Sequence, residues 1–121
     1  MMVSGAVCFS NVIKQDQWKG QETGFSLTLT LNDSDAEILG AEGVKIKDYE
    51  GTQQRKFRSG FQPEVIDMAG DPVTREIPRG SLVRVLVKLG ADDHPQWGRS
   101  TYIDKVRLVE EAEGQAVPDD F

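Results

Sequence analysis

The stretch "GSLVRVLVKLG", residues 80–90, decides the fold. Val83, Val85, Val87 and Leu89 fall on one side of an extended chain, and Arg84, Leu86 and Lys88 on the other. Successive side chains of a strand point to opposite faces, so a period of two predicts a strand with one face in a core. "FSLTLTL", residues 25–31, repeats the pattern with Phe25, Leu27, Leu29 and Leu31 against Ser26, Thr28 and Thr30. Outward from these two segments the signals stay extended. Val7 and Phe9 predict an opening strand, and "PEVIDM" at 63–68 a short one that ends in the turn "AGDP". "STYIDKVRLV" at 100–109 predicts a final strand after the loop "ADDHPQWGR".

One segment has helical character. In "NDSDAEILGAEG", residues 32–43, Asp33 or Ser34 serves as N-cap, acids occupy the first turn, Ile38 and Leu39 form the apolar face, and Gly43 is the stop. The segment that follows, "VKIKDYEGTQQRKFRSGF" at 44–61, places Val44 and Ile46 on one face and Lys45, Lys47 and Tyr49 on the other. Glu50-Gly51-Thr52 suits a turn, so the segment reads as a hairpin. About six strands, one short helix and no repeat predict a mainly all-β protein: a small antiparallel barrel of the OB type.

The 121 residues make one domain, with 38% hydrophobic and 28% charged residues as in an ordinary globule. Cys8 is the single cysteine, which excludes an internal disulfide, and it reads as a small residue beside core positions rather than a nucleophile. No stretch approaches the ~18 apolar residues of a membrane span, and the first residues lack the basic start of a signal peptide, so a cytoplasmic location is expected. His94 is the only histidine, and with Asp92 and Asp93 before Pro95 it reads as a polar turn rather than a metal site. Neither a Ser/His/Asp or Cys/His combination nor a glycine-rich phosphate loop is present. The expectation is therefore no enzyme, no metal and no cofactor. A small enzyme would have to rely on His94 as its base.

Net charge is −6, but the acids are unevenly placed. All 14 basic residues lie at or before Arg107, against 15 acids, a net of −1, and the five acids Glu110, Glu111, Glu113, Asp119 and Asp120 follow it. A near-neutral body can carry a basic face, and an acid block after the last structured element reads as a solvated interaction tail. Residues 45–58 supply such a face: Lys45, Lys47, Arg55, Lys56 and Arg58 against Asp48 and Glu50, interleaved with Tyr49 and Phe57. Cations that follow phosphates and rings that stack bases are what sequence-independent binding of single strands needs. Trp18 and Trp97 sit in polar loops, where each ring either caps the barrel or stacks on a base. Phe25 and Phe61 are assigned to the core. A β-barrel adaptor, for which the basic hairpin is only a solvated surface, is the alternative.

The order of "GSLVRVLVKLG", a loop, "GRSTYIDKVRLVEEAE" and a short acidic end "DDF", preceded by "FSLTLTLNDSDAEILGAEGVKIKDYEG", resembles the single-stranded DNA-binding proteins of bacteriophage replication over residues 5–121. The resemblance implies an OB-fold, a groove for single strands with little sequence preference, a place in DNA replication and recombination in the cytoplasm of an infected bacterium, and a tail that engages replication proteins such as a polymerase, helicase or primase. Carried over by position, it assigns Lys45, Lys47, Tyr49, Arg55, Phe57, Arg84 and Lys88 to the groove. Lys56 and Arg58 of the same hairpin, with Trp18, Trp97 and Arg99 from the loops, complete the candidate set. Residues 1–109 form the binding domain and 110–121 the tail, in which Asp119, Asp120 and Phe121 of "AVPDDF" are the contact residues. Oligomeric state stays open, a homodimer included.

Overall fold

The computed structural model describes residues 1–13, 17–18, 21–22, 24–94 and 98–112. Its elements in chain order are β1 (Met2–Asn11), β2 (Gln17–Trp18), β3 (Gln21–Glu22), β4 (Phe25–Leu31), α1 (Asp33–Ala41), β5 (Lys47–Tyr49), β6 (Thr52–Ser59), β7 (Glu64–Asp67), β8 (Leu82–His94) and β9 (Gly98–Glu110). Five of the strands close a barrel in the order β6-β4-β1-β8-β9, and β9 returns to β6. The expected OB-type barrel is present, with two departures from an all-antiparallel layout. Its closing contact is parallel, Arg58 opposite Tyr102, and β7 also runs parallel to β9. A parallel pair needs a crossover rather than a tight turn, and the chain between β6 and β9 supplies one.

Alternation builds the interior as the pattern predicts except at the start of β4, where Phe25, assigned to the core, is only half-buried and Ser26 is buried. Leu27, Leu29 and Leu31 of β4, Val83, Val85 and Val87 of β8, and Ile103, Val106 and Leu108 of β9 are buried, together with Val3 and Val7 of β1 and Phe57 of β6. β1 serves two neighbours, pairing its first half with β8 and its second with β4, and Gly5 belongs to both ladders. Any side chain at Gly5 would drive its Cβ into the carbonyl oxygen of Thr30, so the close approach of β1 to β4 requires glycine there.

The ends of elements depart from the sequence reading in definable ways. The helix cap is Asn32, whose side chain accepts from the Asp35 N–H at 2.7 Å, rather than Asp33 or Ser34. Asn32 already has the extended backbone a cap requires, which leaves Asp33 and Asp35 to interact with the helix N-terminus as charges. Ala36 and Leu39, not Ile38, face the barrel; Ile38 is 48% exposed. The hairpin turn has positive φ at both Glu50 and Gly51, the conformation that fits a two-residue connection to the twist of its strands. The segment 91–99, expected as a loop, is strand on both sides of its tip, since Asp93 pairs with Arg99 and His94 with Gly98. Phe61 is 79% exposed instead of core, because it lies beyond the end of β6 in a turn closed by Ser59. The body continues to Ala112: Glu111 is ion-paired with Arg75, and the Ala112 N–H donates to Ser81 Oγ at 2.9 Å.

Candidate nucleic-acid interface

β6 presents two faces. Gln53, Arg55 and Phe57 stand opposite Leu31, Leu29 and Leu27 of β4 and so point inward, while Gln54, Lys56 and Arg58 point out. Two open depressions lie along this strand. One, of about 600 Å³, is lined by Arg55, Lys56, Arg58, Arg99, Ser100, Thr101 and Tyr102 between β6 and β9. The other, of about 420 Å³, is lined by Phe9, Thr28, Lys45, Lys47, Gln54, Arg55 and Lys56. They share Arg55 and Lys56 as lining residues and so adjoin one another as a groove along β6. Among the described residues no carboxylate lines it, in a protein of net charge −6. Cations gathered without acids focus a positive potential where a polyanion would lie.

The cations of the groove fall into two kinds. Arg55 emerges at the inner face and is half-buried, and it donates to Thr101 Oγ1 at 3.0 Å, to the Lys45 carbonyl at 3.0 Å and to the Arg99 carbonyl at 3.2 Å. These bonds tie β6 to β9 and to the chain leading into β5. Burial, and secondly the nearby charge of Arg58, hold the Arg55 guanidinium below its ordinary value. It remains a cation, since a guanidinium is not deprotonated in proteins. Arg99 is similarly committed. Its Nε donates to the Gly90 carbonyl at 2.6 Å and its Nη1 to Glu42 Oε1 at 3.0 Å, with the Glu42 carbonyl at 3.3 Å. The last turn of α1 holds no basic residue, so Arg99 supplies from β9 the positive charge that the helix C-terminus favours.

Lys45, Lys47 and Arg58 are exposed and make no ion pair among the described residues. Lys47 stands 5.6 Å from the centre of the Tyr49 ring, which places both on one face as alternation predicts. Tyr49 is 51% exposed but sits at the hairpin turn and lines neither depression. Phe57 leaves the candidate set: it is wholly buried, because it stands beside its register partner Leu27 on the interior face of β6 and β4. Lys88 lies in one outer row with Tyr102 and Arg58 across β8, β9 and β6. Arg84 is four residues further along β8, about 13 Å at the rise of a strand, between Ser4 and Arg107, and lines neither depression. The side chains of Trp18 and His94, and all of Trp97, Asp119, Asp120 and Phe121, lie outside the described residues.

Sequence reading missed two exposed rings. Tyr102, 46% exposed, lines the larger depression beside Arg58, and Phe9, 63% exposed, lines the smaller. The alternation of Thr101, Tyr102 and Ile103 marks the tyrosine as outward, but nothing local brings it beside β6; that is the work of the closing parallel pair. Among the described residues no group of three or more His, Cys, Asp or Glu side chains is placed to hold a metal, and no helix is long and apolar enough to cross a membrane.

Neither a protein-family model nor a curated protein matches this chain. Solved structures do. The C-terminally truncated single-stranded DNA-binding protein of bacteriophage Enc34 superposes with a TM-score of 0.70 at 15% identity, covering 92% of this chain and 84% of that one. This chain has its fold. The Enc34 protein in complex with single-stranded DNA gives 0.69 at 15% identity, over 92% and 85% of the two chains. Gp2.5, a single-stranded DNA-binding protein encoded by bacteriophage T7, gives 0.64 at 18% identity, over 99% and 91%.

Proposed function

We propose that the protein binds single-stranded DNA in the groove along β6, with little sequence preference, during phage DNA replication and recombination in the cytoplasm of an infected bacterium. The observation that carries the reading is the carboxylate-free groove with its outward cations Lys45, Lys47 and Arg58 and the exposed ring of Tyr102. The Enc34 protein in complex with single-stranded DNA, which shares the fold, supports it. Phosphates contact the cations and bases stack on rings, and neither contact reads sequence. Catalysis is not part of this function.

The chain after Ala112 serves as a protein-contact tail in this reading. Asp119, Asp120 and Phe121 are its contact residues, and a polymerase, helicase or primase is the class of partner. With Glu113, Asp119 and Asp120 and no basic residue, the tail also repels DNA from the groove at low ionic strength.

The test is a titration of the full chain, and of a chain ending at Ala112, with dT oligomer and duplex over a range of salt. Single strands should bind tighter than duplex, with a log–log salt slope of about −0.7 for each phosphate neutralised. The shortened chain should gain affinity most at low salt. Equal affinity for duplex, or no salt dependence, would falsify the groove reading; unchanged low-salt affinity on shortening would remove the competing tail.

A further inference from the structure

We propose that Phe9 is a base-stacking platform for single-stranded nucleic acid, its ring steadied by the Arg79 guanidinium. The proposal rests on the groove reading above and adds a contact residue and a direction for the strand.

Alternation along β1 sends Val3 and Val7 into the core, and by the same period Phe9 belongs inside. The register with β4 breaks that period. Val7 faces Leu29 but Phe9 faces Thr28, so Cys8 is one residue too many and forms a bulge. Bulges re-aim side chains, and here the effect is to turn an apolar ring from the interior to the surface. Val7 is 2% exposed and Phe9 63%. The bulge is anchored at its start, where the Val7 N–H donates to the Ser81 carbonyl at 2.9 Å and the Val7 carbonyl accepts from the Gly80 N–H at 2.8 Å. The same turn carries Arg79, whose guanidinium carbon stands 6.0 Å from the centre of the Phe9 ring, within cation–π range.

The ring emerges where a base would meet it. Phe9, Thr28 and Lys56 form one outward row across β1, β4 and β6, and Phe9 shares its depression with Lys45 and Lys47. Tyr102 stands at the far side, on β9. Three strand spacings separate β1 from β9 over this face, about 14 Å along the surface. Two rings thus bracket a band of cations. A strand crossing the band would place a base on Phe9 at one end and on Tyr102 at the other, with its phosphates over Lys56 and Arg58 between them.

The experiment titrates the full-length wild type, Phe9→Leu, Phe9→Tyr and Arg58→Glu with dT oligomer and with an abasic deoxyribose-phosphate strand of the same length, alongside thermal melts. Phe9→Leu should weaken dT binding about tenfold, within the range of a lost base stack, with Phe9→Tyr near wild type and melting temperatures alike. The abasic strand should bind wild type and Phe9→Leu equally. Wild-type dT affinity in Phe9→Leu, with binding lost in Arg58→Glu, overturns the platform and leaves the groove reading intact. Equal losses for dT and the abasic strand in Phe9→Leu also overturn it, since the ring would then only shape the groove. Binding unchanged in Arg58→Glu as well defeats both readings.

Discussion

The two faces of β6 carry the same chemistry to different ends. Arg55 and Arg58 are three residues apart in one cation-rich run, yet one donates three hydrogen bonds within the barrel and the other faces solvent without an ion pair among the described residues. What separates them is the parity of their positions. Arg55 lies in the row of β4's leucines and is half-buried even where it lines the groove, so its charge must find protein acceptors or forfeit its hydration; Arg58 stands exposed over the groove, where water or a phosphate can serve. Local charge density therefore overstates the number of cations free of protein partners, since Arg55 and Arg99 each already donate to backbone carbonyls.

The strongest way to break this contrast is at Phe57, the ring that fills the interior face. Phe57→Ala should destabilise the barrel by about 3–5 kcal/mol through lost burial and the cavity left behind. DNA affinity measured below the new melting transition should stay near wild type. A Phe57→Ala protein that melts normally and fails to bind DNA would return the ring to the binding surface.

Arg55 comes next. Arg55→Lys keeps the charge but cannot reproduce a fork that reaches Thr101, Lys45 and Arg99 together, so stability should fall by about 1–3 kcal/mol in denaturant unfolding as acceptors are left unpaired. The salt slope of DNA binding should be unchanged, because the charge remains. A slope that drops with stability intact would make Arg55 a phosphate contact.

Arg58→Ala should have the smallest effect on folding and sharpens the comparison from the other side. Stability should stay within about 0.5 kcal/mol of wild type, as for other exposed positions. The salt slope should become shallower by about 0.7, the signature of one phosphate contact removed. Lys45→Ala and Lys47→Ala should behave alike, and a thermal shift without a slope change in any of the three would place that cation with Arg55.

The sequence by itself determined the class of fold. The alternation in residues 25–31 and 82–89 is a local property of an extended chain, and each leucine or valine on the predicted face is indeed interior or packed against it. Asp33 and Gly43 marked the ends of the helix for equally local reasons, a charge that suits the helix start and a glycine at positive φ, although the cap itself is Asn32. Tertiary structure alone decided what the groove contains. Tyr102 comes beside Arg58 only when β9 closes on β6, 44 positions later in sequence. Phe9 faces outward only because an extra residue at Cys8 shifts the register with β4, and a bulge leaves no mark in a composition that reads Val, Cys, Phe. Arg55 is inward because its partner across the sheet is Leu29, and Arg99 is bound at the end of α1, 57 positions from Glu42. Periodicity assigns a face relative to neighbours a few residues away; which cations and rings share that face depends on register and closure, and these are set by pairings between distant strands.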